Sequence, residues 1–100
     1  MDLSSAAQCM ESLGNETRLA VYQLLVQSGP GGLPVGQIQE RLQIPGSTLS
    51  HHIAHLVRAG LVCQTREGRV LRCKPDFCRM NAMVDFLSME CCQHPDSDCC

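Results

Sequence analysis

Residues 47–62 read STLSHHIAHLVRAGLV and decide the fold. The apolar residues of this stretch recur at i, i+4, i+7 and i+8, which predicts a helix with one buried face; they are Leu49, Ile53, Leu56 and Val57. We expect Ser47 to cap the start of this helix and Gly60 to end it. Short polar side chains near the start are then left on the opposite face.

A shorter helix is predicted just before it. Val35, Ile38 and Leu42 follow an i, i+3, i+7 pattern, and the sequence IPG interrupts the pattern at residues 44–46. Two helices joined by a tight turn, the second with short polar groups near its start, describe a helix-turn-helix. Upstream, a weakly amphipathic helix is predicted from Leu3 to Leu13 and ends at Gly14, and Asn15 is expected to cap a second helix.

The periodicity changes after Gly60. The strand-like segments LVCQT and VLRCK flank REGR at residues 66–69, and Glu67–Gly68 suits a two-residue hairpin turn. This register places Arg66 opposite Arg69. It also places Cys63 and Cys73 on opposite faces of the sheet.

One more helix is expected after Pro75, beginning near Asp76 and extending to about Cys92. The sequence therefore predicts a mainly α fold with a small β-hairpin wing. This is a winged helix-turn-helix of five helices and two strands.

The composition bounds the function. One hundred residues indicate one domain, and neither a long apolar run nor a secretory signal is visible, so we expect a cytoplasmic protein that does not enter a membrane. The net charge is −2, yet residues 46–74 carry five cations against one acid, which is typical of a phosphate-binding face. No G-x-S-x-G, H-E-x-x-H or P-loop string occurs, so we expect no enzyme.

Three segments together resemble the ArsR/SmtB family of metal-sensing repressors: LGNETRLAVYQLL, STLSHHIAHLVRAGLV and REGRVLRCK. The resemblance covers about residues 11–90. It implies a homodimer, held together by the first and last helices, that binds operator DNA when metal-free and releases it when an effector binds. A twofold dimer would bind an inverted repeat. We therefore expect a DNA-binding and dimerisation domain at residues 1–90 and a cysteine-rich effector-binding tail at residues 91–100.

The same resemblance can be followed to each sensor site of the family. The arsenic site with a C-x-C motif is absent, because Pro34 and Gly36 stand at the matching positions. The zinc site on the last helix is absent too, because it needs a histidine two positions after Asp85, and Leu87 stands there instead. The tail CCQHPDSDCC, however, resembles members that hold arsenite with cysteines after the last helix.

Four of the eight cysteines lie in this tail, and thiolates are soft ligands. Trivalent arsenic or antimony, As(III) or Sb(III), would take three sulfurs: Cys91, Cys92 and either Cys99 or Cys100, with Cys9 a weaker candidate. Zn(II) or Cd(II) on the four thiols, or on three with His94, is an alternative. A thiol-redox switch and inert exposed thiols are two more.

The reading helix of such a motif enters the major groove by its N-terminal part. The candidate DNA-binding residues there are Ser47, Thr48, Ser50, His51 and His52. Arg66 and Arg69 flank the wing turn and are expected to reach phosphates or the minor groove. The alternative is that all these side chains only face solvent. The sequence thus predicts a metalloid-responsive repressor.

Overall fold

The computed structural model describes residues 1–89. Its elements are α1 (Leu3–Leu13), α2 (Glu16–Ser28), β1 (Leu33–Pro34), α3 (Val35–Leu42), α4 (Gly46–Arg58), β2 (Val62–Glu67), β3 (Val70–Pro75) and α5 (Phe77–Ser88). The predicted winged helix-turn-helix is confirmed, with one strand more than expected. The last helix was predicted to extend to about Cys92, and this is wrong: α5 ends at Ser88, and Met89 has left the helical conformation with ψ 130°. The tail at residues 91–100 lies outside the described residues.

Side-chain caps fix the start of three helices. The Asn15 side chain accepts a hydrogen bond from the Arg18 backbone N–H at 3.1 Å, as predicted, and Asp76 does the same for Arg79 at 3.0 Å. Asp2 accepts from the Ser5 N–H at 2.7 Å. Each cap satisfies a backbone donor that the helix itself leaves unpaired.

The predicted cap at Ser47 is wrong. Helix α4 begins one residue earlier, at Gly46, with Pro45 in the cap position and no side-chain cap hydrogen bond. Pro45 has φ −56°, within the range that its ring imposes, and its carbonyl accepts the Leu49 N–H at 2.9 Å. The proline therefore starts the helix, and the Ser47 hydroxyl is not used as a cap.

Helix α4 lies at the centre of the core. Its buried side chains Leu49, Ile53 and Leu56 belong to one apolar cluster with Leu25 of α2 and Ile38 of α3. A buried leucine or isoleucine contributes about 1.5–3 kcal/mol through burial alone. Burial therefore fixes the orientation of α4, and with it the direction in which the polar side of the helix faces.

The wing register differs from the prediction. Glu67 pairs with Val70 and Arg66 with Leu71, so the two-residue turn is Gly68–Arg69 and Arg66 does not face Arg69. Gly68 has φ +64°, a backbone conformation that glycine adopts without a steric penalty.

The shift amounts to two residues, and an even shift leaves every side chain on its predicted face. Cys63 and Cys73 therefore lie on opposite faces, as expected. Cys63 is exposed, whereas Cys73 is fully buried.

The third strand was not predicted. Strand β1 pairs antiparallel with β3 through Leu33 opposite Cys73 and Pro34 opposite Arg72, and the sheet order is β1-β3-β2. The chain approaches β3 so closely that a Cβ at Gly32 would overlap the Cys73 carbonyl oxygen, and Gly32 itself has φ +66°. The base of the wing is thus joined to the segment between α2 and α3.

Candidate nucleic-acid interface

Four of the predicted DNA-binding residues share one exposed surface of α4. They are Ser47, Thr48, Ser50 and His51, which we call the reading face. The opposite side of the helix carries the buried leucines and isoleucine of the core. These side chains are polar and lie in the first two turns, the part of a reading helix that meets base edges in the major groove.

The fifth predicted residue, His52, lies at the edge of the reading face and is half-buried. Its Nδ1 is 3.4 Å from a terminal guanidinium nitrogen of Arg18, at the start of α2. The pKa of His52 is lowered, first by burial and then by the charges of Arg18, His51 and His55. His52 is therefore neutral near pH 7.

A second contact joins α1 to α4. The hydroxyl of Ser12 lies 3.0 Å from Nδ1 of His55, and Ser12 is fully buried. Arg18 Nε donates a hydrogen bond to the Ser12 carbonyl at 2.6 Å. The end of α1, the start of α2 and the middle of α4 are thus linked by polar contacts.

Strand β2 of the wing contacts α4, and the wing carries cationic side chains. Arg66 lies on β2 and Arg69 in the turn, and both are exposed. Arg72 is engaged otherwise, because its Nε lies 2.9 Å from a Glu67 oxygen, and this guanidinium holds the pKa of Glu67 below its usual value. Within residues 1–89 this is the one ion pair, so neither Arg66 nor Arg69 is paired with a carboxylate.

The four cysteines of residues 1–89 are free thiols: Cys9 and Cys73 are buried, and Cys63 and Cys78 are exposed. The Cys9 thiol donates a hydrogen bond to the Ala59 carbonyl at 3.5 Å. This part of the chain contains no group of three or more histidine, cysteine or acidic side chains that could hold a metal ion. The predicted ligands Cys91, Cys92, Cys99 and Cys100, together with His94, lie outside it.

Apolar side chains remain exposed on the first and last helices. Leu3 and Met10 of α1 are 75% and 49% exposed, and Val84 and Leu87 of α5 are 51% and 57% exposed. Helices α1 and α5 contact each other, so these side chains are candidates for an interaction surface.

Comparison with known proteins places this arrangement in a family. A family model described as a helix-turn-helix domain matches residues 13–64. The transcriptional activator HlyU of Vibrio cholerae is 30% identical over 90% of this chain and 81% of its own length. The chain belongs to the ArsR/HlyU type of helix-turn-helix transcriptional regulators.

Solved structures agree with this ArsR/HlyU-type fold. Reduced HlyU from Vibrio cholerae has a TM-score of 0.67 and 31% identity, covering 90% of this chain and 92% of that one. A homodimeric winged helix-turn-helix DNA-binding domain from Mycobacterium bovis has a TM-score of 0.69 and 26% identity, covering 98% and 90%. An ArsR-like regulator from Rhodococcus, at 22% identity and a TM-score of 0.75 over 85% and 77%, shares the fold. Among residues 1–89, no helix of this regulator has the length and apolar character needed to cross a bilayer.

The sequence analysis missed the polar contacts that join α4 to α1 and α2. Arg18 and His52 are separated by 34 positions in the chain, and Ser12 and His55 by 43. No periodic pattern connects residues so far apart, and Arg18 reads as an ordinary cation on an amphipathic helix. Arg18 precedes the buried Val21, Tyr22 and Leu25 by three, four and seven positions, so it lies on the buried side of α2, and a cation at such a position is the one signal that the sequence offered.

Proposed function

We propose that this regulator is a homodimeric repressor that binds an inverted-repeat operator and releases it when its C-terminal cysteines bind trivalent arsenic or antimony. The observation that carries DNA binding is the exposed reading face of α4, whose orientation is fixed by the buried core. The wing of the same fold carries Arg66 and Arg69, which make no ion pair within residues 1–89. The reading face would supply base contacts and the wing phosphate contacts.

The homodimer is supported by the exposed apolar side chains of α1 and α5. The relative from Mycobacterium bovis is homodimeric, and a second copy of this chain would cover Leu3, Met10, Val84 and Leu87. Twofold symmetry would then place two copies of α4 in successive major grooves, with half-sites about one helical turn apart.

The effector proposal rests on the composition of the tail. Cys91 and Cys92 are adjacent, and Cys99 or Cys100 can supply a third sulfur after the intervening QHPDSD. The tail follows α5, so closing it around one metalloid would restrain an element of the proposed dimer interface. A coupling of about 1–3 kcal/mol would lower operator affinity 5- to 150-fold.

A thiol-redox switch is the second candidate. The relative HlyU has been solved in a form described as reduced, and the cysteines of the present tail offer several thiol pairs. HlyU is also described as an activator, so repression by this chain rests on the resemblance of its tail to metalloid sensors. Zn(II) or Cd(II) bound to the tail thiols is the remaining alternative.

The test is fluorescence anisotropy on an operator selected from randomised duplex DNA, titrated anaerobically with arsenite, zinc and diamide in parallel. We expect stoichiometric arsenite to release the DNA from the wild type but not from Cys91→Ser or Cys92→Ser. Cys78→Ser, which removes an exposed thiol of α5 outside the tail, is the matched control and should respond like the wild type.

Each other outcome has a distinct meaning. Release by diamide alone would replace the metalloid effector with a redox switch, and release by zinc alone would replace it with a divalent metal. If the selection yielded no duplex that the protein binds more tightly than unselected DNA, the proposed repressor function would be wrong.

A further inference from the structure

The contact between Arg18 and His52 determines which ring nitrogen of His52 carries the proton. A guanidinium group has hydrogen-bond donors and no acceptor. With an Arg18 nitrogen 3.4 Å from Nδ1, that ring nitrogen must be the acceptor and therefore unprotonated. In a neutral imidazole the proton then lies on Nε2, on the other side of the ring.

Arg18 is itself held in place. Its Nε donates to the carbonyl of Ser12 at 2.6 Å, and its backbone N–H donates to the Asn15 cap. Ser12 is fully buried and also contacts His55 through its hydroxyl. Because the Nε of its guanidinium is already held by Ser12, the Arg18 side chain loses less conformational freedom when it contacts His52, so Arg18 is suited to orient this neighbour.

The charges around His52 oppose its protonation. Burial lowers the pKa of His52 most, and Arg18, which faces it from α2, and then His51 and His55 on α4 lower it further. The neutral ring is consequently the form present near pH 7. With Nδ1 accepting from Arg18, this ring has one donor left, Nε2–H.

We propose that Arg18 is a positioning residue that holds His52 as the Nε2–H tautomer, so that His52 donates a hydrogen bond to an acceptor on a base edge. The inference rests on the proposed function of α4 as the DNA-reading helix. The acceptors of the major groove are the purine N7, the guanine O6 and the thymine O4, whereas cytosine presents only its amino donor. His52 would therefore disfavour a cytosine on the strand that it reads.

The first arm of the test needs no DNA. Nitrogen-15 spectra of the histidine rings, recorded across a pH titration, give the tautomer and the pKa of each histidine. In the wild type we expect His52 to be protonated at Nε2. We expect Arg18→Met to raise the pKa of His52, because a cation and its hydrogen bond are removed, and Arg18→Lys to give a smaller rise.

The second arm is a double-mutant cycle on base preference. Duplexes are selected with the wild type, and affinities are measured for the preferred base and its alternatives at each position. Arg18→Met and His52→Ala should each reduce the affinity ratio between the preferred base and its alternatives about fivefold, at the same base pair. This is the change expected from the loss of one hydrogen bond. The double variant should lose no more than either single variant.

Two controls separate positioning from a structural role. Thermal unfolding reports any loss of stability from the Arg18–Ser12 contact, and Arg18→Lys should recover part of the base discrimination. A uniform loss of affinity for all sequences in Arg18→Met, or additive effects in the double variant, would overturn the inference.

An unchanged His52 pKa in Arg18→Met, or a wild-type His52 protonated at Nδ1, would also overturn it. These results would leave the repressor proposal standing. If the wild type bound no DNA, both the repressor proposal and the hydrogen bond from His52 to a base would be refuted. The histidine spectra would still show whether Arg18 sets the tautomer of His52.

Discussion

Alanine substitution of Arg66 tests how the wing contacts DNA. Arg66 is exposed on β2 and carries charge that no ion pair balances within residues 1–89. Arg72 is the matched control, because its guanidinium is bound to Glu67 at 2.9 Å and also donates to the Gly31 carbonyl at 3.4 Å. If Arg66 contacts phosphate, Arg66→Ala should change the salt dependence of binding, and Arg72→Ala should change it much less.

The magnitude follows from counterion release. Each phosphate that a cation neutralises contributes about 0.9 to the slope of log K against log salt, so two lost contacts per dimer reduce the slope by about 1.8. Between 50 and 200 mM salt, this difference changes the ratio of wild-type to Arg66→Ala affinity by about 12-fold. The variant should be weakest relative to the wild type at low salt.

The assay is fluorescence anisotropy over this salt range, with the selected operator and with an unrelated duplex. Arg66→Ala should weaken binding to both duplexes by a similar factor. The reasoning would be refuted if Arg66→Ala kept the wild-type slope and altered base preference instead. The reasoning would also be refuted if Arg72→Ala reduced the slope of log K against log salt as much as Arg66→Ala does. Arg72 would then contact phosphate despite its ion pair with Glu67.

Three further outcomes are expected. Gly32→Ala should destabilise the fold by about 2 kcal/mol or more, because Gly32 has φ +66° and an added Cβ would overlap the Cys73 carbonyl oxygen. Gly31 has open space around it, so Gly31→Ala is the control and should be nearly neutral in chemical denaturation. Equal losses of stability in the two variants would contradict this geometry. Burial raises the pKa of Tyr22 to about 12, so the folded protein should lose stability as the pH rises from about 10, where an unfolded tyrosine ionises, towards 12. Since Tyr22 is the single tyrosine and no tryptophan is present, ultraviolet absorbance measures this ionisation directly, and a native midpoint near 10 would disprove it. A maleimide should label Cys63 rapidly and Cys73 only after unfolding, because burial shields Cys73 and raises its pKa; peptide mass mapping showing equal rates would contradict this.

The sequence was most informative where periodicity and capping act locally. Helix α1 spans the predicted Leu3–Leu13, and Asn15 caps α2, because both features depend on residues within a few positions of each other. The cap at Ser47 failed since Pro45 also starts a helix well, and the sequence did not show which would prevail.

Features set by tertiary contacts could not be read from the sequence. The hairpin turn lies at Gly68–Arg69, although Glu67–Gly68 fitted a two-residue turn equally well. Strand β1 has two residues, too few for a periodic signal, and exists because β3 lies beside it. For the candidate site, the exposed polar side of α4 was predicted, whereas the role of Arg18 beside His52 depends on how α2 and α4 pack.

The short pairing of Leu33 with Cys73 adds backbone hydrogen bonding at the base of the wing and none at its tip. At its base, β3 is held between two strands, while at the tip the hairpin consists of β2 and β3 alone. Backbone amides near Cys73 should therefore exchange with deuterium far more slowly than those near Gly68. With a mobile tip and a fixed base, the wing could adjust to the groove width of different DNA sequences while α4 kept the same position.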